Sequence, residues 1–173
     1  HIELSLEGSG LHYEPGDALG VVPQNSPALV ADILETLRLD AGAEVSVGRD
    51  TVPLEQALGS RLEITALTAS FLTGWVELSG AQRLRDLLAD EDGQALSAYL
   101  GSCHIIDVIS EFPVQGLTGD DFARLLRRLP PRLYSLASSL KACPDEAHLT
   151  VAPVRYSAHG RTRVGVASDW LTR

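Results

Sequence analysis

Alternation opens the chain: Ile2, Leu4 and Leu6 are separated by Glu3 and Ser5, the period-two pattern of a half-buried strand. Gly8 to Gly10 make a turn, Pro15-Gly16-Asp17 a second, and Ala18-Leu19-Gly20-Val21-Val22 follows as an apolar run, so residues 1–22 are predicted as β-structure. The period then changes. Ser26 is placed to cap a helix and Pro27 to occupy its first turn, with Leu29, Val30, Ile33, Leu34 and Leu37 on one face at helical spacing. Val45-Ser46-Val47-Gly48 and Thr51-Val52 predict a short hairpin, and Pro53 opens a brief helix through Leu58. Further helical faces are drawn by Phe71, Leu72, Trp75, Val76 and Leu78, by Leu84, Leu87 and Leu88, and by Leu96, Tyr99 and Leu100. Ile105, Ile106, Val108 and Ile109 are apolar almost all round. Thr118 with Asp121 makes a capping box for a last helix carrying Phe122, Leu125, Leu126 and Leu129, which Pro130-Pro131 must end.

From Arg132 the strand signal returns, over 132–137, 148–155 and 162–165, with Pro144-Asp145 and Ala158-His159-Gly160 as turns. Residues 167–173 read as the opening turn of a helix. The order is β, then α, then β. A helical block between two β segments predicts an α+β chain with a discontinuous β domain, residues 1–22 and 130–173, whose ends pack together, and a second, mainly helical lobe over residues 23–129. The start His-Ile-Glu-Leu is neither an initiator methionine nor a basic leader, so the chain reads as a piece of a longer one.

Composition narrows the function classes. With 45% hydrophobic residues the chain can form a real core, and no stretch approaches the roughly eighteen apolar residues of a membrane span. A net charge of −9 argues against nucleic acid or an anionic membrane as partner. The two cysteines, Cys103 and Cys143, lack a Cys-x-x-Cys or a histidine at metal-ligand spacing, which gives a zinc or iron–sulfur site little support and predicts reduced thiols. The five histidines, His1, His12, His104, His148 and His159, have no nucleophile context, and neither a Gly-x-Ser-x-Gly elbow nor a Rossmann GxGxxG occurs.

Two short segments carry the chemistry. Arg132-Leu133-Tyr134-Ser135 offers a guanidinium, an aromatic ring and a hydroxyl on an extended segment where alternate side chains share a face. Gly165-Val166-Ala167-Ser168, leading into Asp169-Trp170-Leu171, is a small-residue turn whose N–H groups can hold a phosphate at a helix start. In this order and spacing they read as a flavin site. With His1-Ile2-Glu3-Leu4, Tyr13-Glu14-Pro15-Gly16-Asp17-Ala18-Leu19-Gly20-Val21, Pro131 to Ser139, Thr150-Val151-Ala152 and Val154-Arg155-Tyr156, they resemble the diflavin reductases, and most closely the sulfite reductase flavoprotein branch, over essentially the whole chain.

That resemblance implies a ferredoxin-reductase-like, flavin-binding antiparallel β-barrel interrupted by a helical connecting domain. It implies FAD as the cofactor, with FMN and NADPH bound by a flavodoxin-like domain and an NADPH-binding domain outside this chain. It also implies a cytoplasmic protein in which electrons pass from NADPH through FAD to FMN and on to a haem-containing sulfite reductase subunit. By the same resemblance, Arg132 neutralises the pyrophosphate with a planar fork of donors. Leu133 belongs to the same motif, Tyr134 stacks on the flavin, and Ser135 stands near flavin N5 as the catalytic hydroxyl. Thr150, Val151 and Ala152 border the pyrimidine edge, although Pro153 departs from the family pattern and argues for an edge or bulge there. Tyr156 lies near the adenosine, Thr68 reaches the cofactor or caps a helix, and Gly165, Val166, Ala167 and Ser168 complete the phosphate site. Two alternatives stay open: the FAD module of a cytochrome P450 reductase-like enzyme, and an interdomain scaffold that does not hold flavin alone.

Overall fold

The computed structural model describes residues 1–173. The elements run β1 (Ile2–Ser5), β2 (Ala18–Val21), α1 (Pro27–Leu37), β3 (Glu44–Val47), β4 (Asp50–Pro53), α2 (Leu54–Ser60), α3 (Ala69–Ser79) and α4 (Gln82–Leu88). They continue as α5 (Gln94–Ser102), α6 (Ile105–Glu111), α7 (Gly119–Leu125), β5 (Arg132–Ser135), β6 (Glu146–Leu149), β7 (Arg155–Ala158), β8 (Arg161–Val164) and α8 (Val166–Thr172). The strands pair as four two-stranded sheets, β1 with β6, β2 with β5, β3 with β4 and β7 with β8. The chain divides into two compact units, one of His1–Gln24, Pro130–Tyr156 and Thr162–Arg173, the other of Asn25–Leu129 with Ser157–Arg161. No helix is long and apolar enough to cross a membrane.

In the first unit β1 and β6 are antiparallel, with Ile2 opposite Leu149 and Leu4 opposite Ala147. Side chains directly opposite share a face, so this register gathers the apolar residues of both strands on one side, where Ala147 and Leu149 are buried. The other side carries Glu3, Ser5, Glu146 and His148. An isolated bridge between Leu136 and Leu149 ties the end of β5 to the end of β6.

The β7–β8 hairpin closes at His159 and Gly160, whose φ angles of 50° and 71° are both left-handed, as a two-residue primed turn requires. Glycine takes that conformation without strain, and histidine tolerates it far better than a β-branched residue would.

The second unit is built on one apolar cluster. Phe71, Leu72, Trp75 and Val76 of α3 are buried, as are Ile105, Ile106, Val108 and Ile109 of α6. The nearly all-round apolar pattern of α6 is what a fully enclosed helix needs. At the head of α7, Thr118 Oγ1 accepts the Asp121 N–H at 3.1 Å while the Asp121 carboxylate accepts the Thr118 N–H at 3.3 Å and its hydroxyl at 2.5 Å. These bonds hold the Asp121 carboxyl below its usual range, the side-chain bond from Thr118 first. A carboxylate with a lowered folded-state pKa stabilises above the ordinary carboxylate range, and the contribution is lost as pH falls through the folded value. Thr118→Ala is expected to cost about 1 kcal/mol, read as a lower urea midpoint at neutral pH, with the deficit shrinking in acid.

Three expectations are corrected. Ser26 sits at the start of α1 but makes no side-chain cap. The entry is held instead by buried Asn25, whose amide donates to the Leu58 and Leu62 carbonyls at 2.6 and 2.8 Å. The last helix stops at Leu125 and carries neither Leu126, its extended C-cap, nor Leu129. A residue before proline is pushed out of the α region, and here the chain runs extended, with Glu63 N–H donating to Arg127 O at 2.9 Å and Leu129 N–H to Arg61 O at 2.8 Å. The strand expected over 148–155 ends at Leu149, and β7 starts only at Arg155. Pro153 offers no ladder N–H, and both main-chain groups of Val154 are taken by the residues that open α8.

Candidate functional site

β2 fixes β5 in register, setting Val21 opposite Arg132, Gly20 opposite Leu133, Leu19 opposite Tyr134 and Ala18 opposite Ser135. Alternation then splits the motif between two faces. Arg132 and Tyr134 are half-buried beside Leu19 and buried Val21, whereas Leu133, at 75% exposure, and Ser135 face outward. The expected common face of Arg132 and Tyr134 is present, and Ser135 shares its face with Leu133. The Arg132 guanidinium donates to Pro130 O at 3.3 Å.

The Leu136–Leu149 bridge brings the second segment alongside. In an antiparallel pair the residue before one partner stands by the residue after the other, so Ser135 and Thr150 flank the bridge on the same side, and both are exposed. Val151 is half-buried and Ala152 exposed. Beyond them Val154 N–H donates to Ser168 Oγ at 3.2 Å, and Gly165 N–H donates to Val154 O at 2.9 Å. A Cβ on Gly165 would lie 2.7 Å from Ser168 Oγ and 2.9 Å from Val154 Cβ, so only glycine fits where the chain enters α8. Ala167 and Ser168 are buried, and Ser168 Oγ also donates to Gly165 O at 3.2 Å. The Ser168 hydroxyl is thereby committed to the fold. The amides of Val166, Ala167 and Ser168 belong to the first helical turn, which has no intrahelical carbonyl to receive them.

The structure thus joins Arg132 to Ser135, Thr150 to Ala152 and Gly165 to Ser168 through consecutive contacts in one unit. Tyr156 stands on β7 at 47% exposure. Thr68 belongs to the other unit, where its Oγ1 accepts the Phe71 N–H at 3.2 Å and caps α3. An open pocket of about 220 Å³ in the first unit, floored by Leu6, Leu19, Leu136 and Ala147 with Tyr13 and Asp17, contains none of the expected site residues.

The sequence reading missed two clusters, one partly local and extended across the β1–β6 ladder, the other made by tertiary contact. His148 stands within reach of Cys143 and Glu146 and also of His1 and Glu3. In the other unit the His159 imidazole lies 3.7 Å from Cys103 Sγ, with Asp107 close by. Beside it the Tyr99 hydroxyl is pushed up to about 12 by burial and then by Cys103.

FAD asks for a cation and amides at its pyrophosphate, a flat surface for its ring and main-chain polar groups along its edge. The donor set of Arg132 and the α8 amides, the ring of Tyr134, and the outward apolar surface of Leu133, Val154 and Tyr156 fit those demands. These are the kinds of group that a flavin-binding module needs. The chain belongs to the FAD binding domain family, whose model matches residues 1–170, and FAD is its cofactor. Among similar proteins, the sulfite reductase [NADPH] flavoprotein alpha-component of Bacillus subtilis (strain 168) is 46% identical over 170 residues, covering 97% of this chain and 28% of that protein. The protein of the same name from Neisseria meningitidis serogroup C (strain 053442) is 46% identical over 171 residues, and that of Aliivibrio fischeri (strain ATCC 700601 / ES114) 45% over 172, each match covering 99% of this chain. The chain spans 28% of the length of each of these three relatives.

Proposed function

We propose that this chain is the FAD-binding and connecting portion of an NADPH-dependent diflavin oxidoreductase of the sulfite reductase type. The observation that carries this reading is the contact path from β5 through the Leu136–Leu149 bridge to Val154 and the start of α8, which gathers three of the expected motif segments in one unit. The identity of 46% to a sulfite reductase flavoprotein supports the branch.

Bound FAD supplies the exchange between two-electron and one-electron chemistry. The chain's own groups hold and orient it. Arg132 neutralises the pyrophosphate together with the amides of Val166, Ala167 and Ser168, with Gly165 keeping that entrance close to the backbone. Tyr134 offers its ring to the isoalloxazine, and Ser135 keeps a hydroxyl proton near N5. The main chain of Thr150, Val151 and Ala152 reads the pyrimidine edge, Tyr156 covers the adenosine, and Thr68 adds a contact while capping α3. Residues 1–22 and 130–173 form the barrel, residues 23–129 the connecting domain. In the longer protein, electrons enter as a hydride from NADPH on one domain and leave singly towards FMN on a flavodoxin-like domain, for a haem-containing sulfite reductase subunit in the cytoplasm.

Titrating the purified chain with FAD, followed by absorbance and flavin fluorescence with FMN as the control, tests this. Saturable, FAD-selective binding is expected. A folded chain that binds neither flavin would favour a connecting scaffold and sink the reading for this segment.

A further inference from the structure

We propose that the polar face of the β1–β6 pair is a zinc-type divalent metal site centred on His148. Ligand atoms of Cys143, Glu146 and His148 all lie within 4.8 Å of one another, and so do those of His1, Glu3 and His148. Register makes this arrangement. Glu3 stands directly opposite His148 in the ladder, and Glu146 precedes His148 by one strand repeat on the same face. Cys143 comes from the turn that leads into β6, held by its N–H on the Ser139 carbonyl at 2.9 Å.

The spacing suits a tetrahedral ion. Ligands at about 2.0–2.3 Å from zinc stand about 3.3–3.7 Å from each other. His148 Nε2 lies 2.8 Å from Glu146 Oε2, and His1 Nε2 lies 3.5 Å from Glu3 Oε1. The two triads share His148, and side-chain rotation about it would bring a ligand of the second triad to the first. Cys143, Glu146 and His148 form the primary triad, and the Glu3–His1 pair supplies the fourth ligand. A thiolate with imidazole and carboxylate favours zinc over magnesium or calcium, which prefer all-oxygen shells.

Access and charge agree. Side-chain exposures of 49% for Glu146 and 62% for Glu3 let an ion enter without unfolding, while His148, at 17%, is positioned by the sheet. Each carboxylate stands beside a histidine, Glu3 by His1 and Glu146 by His148, so a cation bound there would be held by carboxylate and imidazole together. The cluster at Cys103 is less apt: His159 Nε2 is engaged with the Ser102 carbonyl at 3.1 Å, and an Asp107 carboxylate oxygen accepts the His104 N–H at 2.7 Å. Zinc at His148 would clamp β1, whose sole strand partner is β6, to the turn before β6.

The test is a Co²⁺ titration of the reduced, metal-stripped chain, read by the near-ultraviolet thiolate-to-cobalt charge-transfer band and the visible ligand-field bands of tetrahedral cobalt, with Zn²⁺ as competitor. One saturable site displaced by Zn²⁺ is expected. The charge-transfer band should vanish in Cys143→Ser and persist in Cys103→Ser, and His148→Gln should weaken binding by about tenfold or more. Glu146→Gln, a change at an exposed position that spares the fold, should weaken it as well if His148→Gln proves unfolded by circular dichroism. No saturable binding, a band that depends on Cys103, or an affinity indifferent to the His148 and Glu146 changes would overturn the proposal.

Discussion

Trp75→Ala is expected to destabilise the helical unit by about 3–5 kcal/mol, the range for deleting a buried aromatic side chain. Trp75 is 0% exposed. Its ring stacks on Phe71 at 5.7 Å between centroids and meets Phe122 edge-on at 6.3 Å, while Phe71 and Phe122 meet at 6.4 Å. Three mutually packed rings from α3 and α7 leave little room to relax into the cavity, which places the cost high in the range. The indole also donates Nε1–H to Phe112 O at 2.9 Å, so truncation strands a carbonyl at the end of α6. Urea unfolding checks this through a lower midpoint at an unchanged slope. Trp75→Phe separates the two contributions, because it keeps an aromatic ring and loses the hydrogen bond. A midpoint for Trp75→Ala within about 1 kcal/mol of the parent would show that the three rings do not hold this unit together.

Much of the local architecture was legible because its causes are local. The face of Val30 and Ile33 on α1, the alternation of β1 and the Thr118–Asp121 box each depend on residues within one or two turns of the chain, and all three are present. The failures lie where a distant partner decided the outcome. Leu129 continues the helical apolar pattern of α7, yet Pro130 and the pairing with Arg61 draw it into extended backbone. Thr150 to Val154 have strand-like composition, but the polar groups of Val154 go to Gly165 and Ser168. Ser26 had the right side chain for a cap, and Asn25 took the organising role through two carbonyls that only the folded chain brings near.

The same division runs through the candidate site. The strand period gave Arg132 and Tyr134 a common face, which the burial pattern of β5 bears. That Thr150 comes beside Ser135 follows from the bridge at Leu136, and spacing along the chain contains no trace of it. The histidine clusters divide the same way. Cys143, Glu146 and His148 are near neighbours in sequence, and a search for Cys-x-x-Cys passes them over, whereas Glu3 meets His148 through cross-strand register and His159 meets Cys103 through tertiary contact, which spacing along the chain does not show.

Arg132→Ala is expected to weaken FAD binding by about 1.5–3 kcal/mol, the value of a charge-assisted hydrogen-bonded pair, which is roughly 10- to 150-fold in Kd. The expectation rests on the proposed role of the guanidinium at the pyrophosphate, and the surroundings of Arg132 make the variant a fair test. Its side chain donates at 3.3 Å to the carbonyl of Pro130, only two residues away, and the strand register is carried by main-chain pairing with Val21. Urea midpoints of parent and variant measure any change in folding stability separately from the change in affinity. Arg132→Lys adds a sign: it keeps the charge and loses the planar fork, so its Kd should fall between the other two, with a salt dependence like the parent's. If the alanine variant binds FAD as tightly as the parent, the pyrophosphate is neutralised elsewhere, and the amides at the start of α8 become the principal phosphate contact.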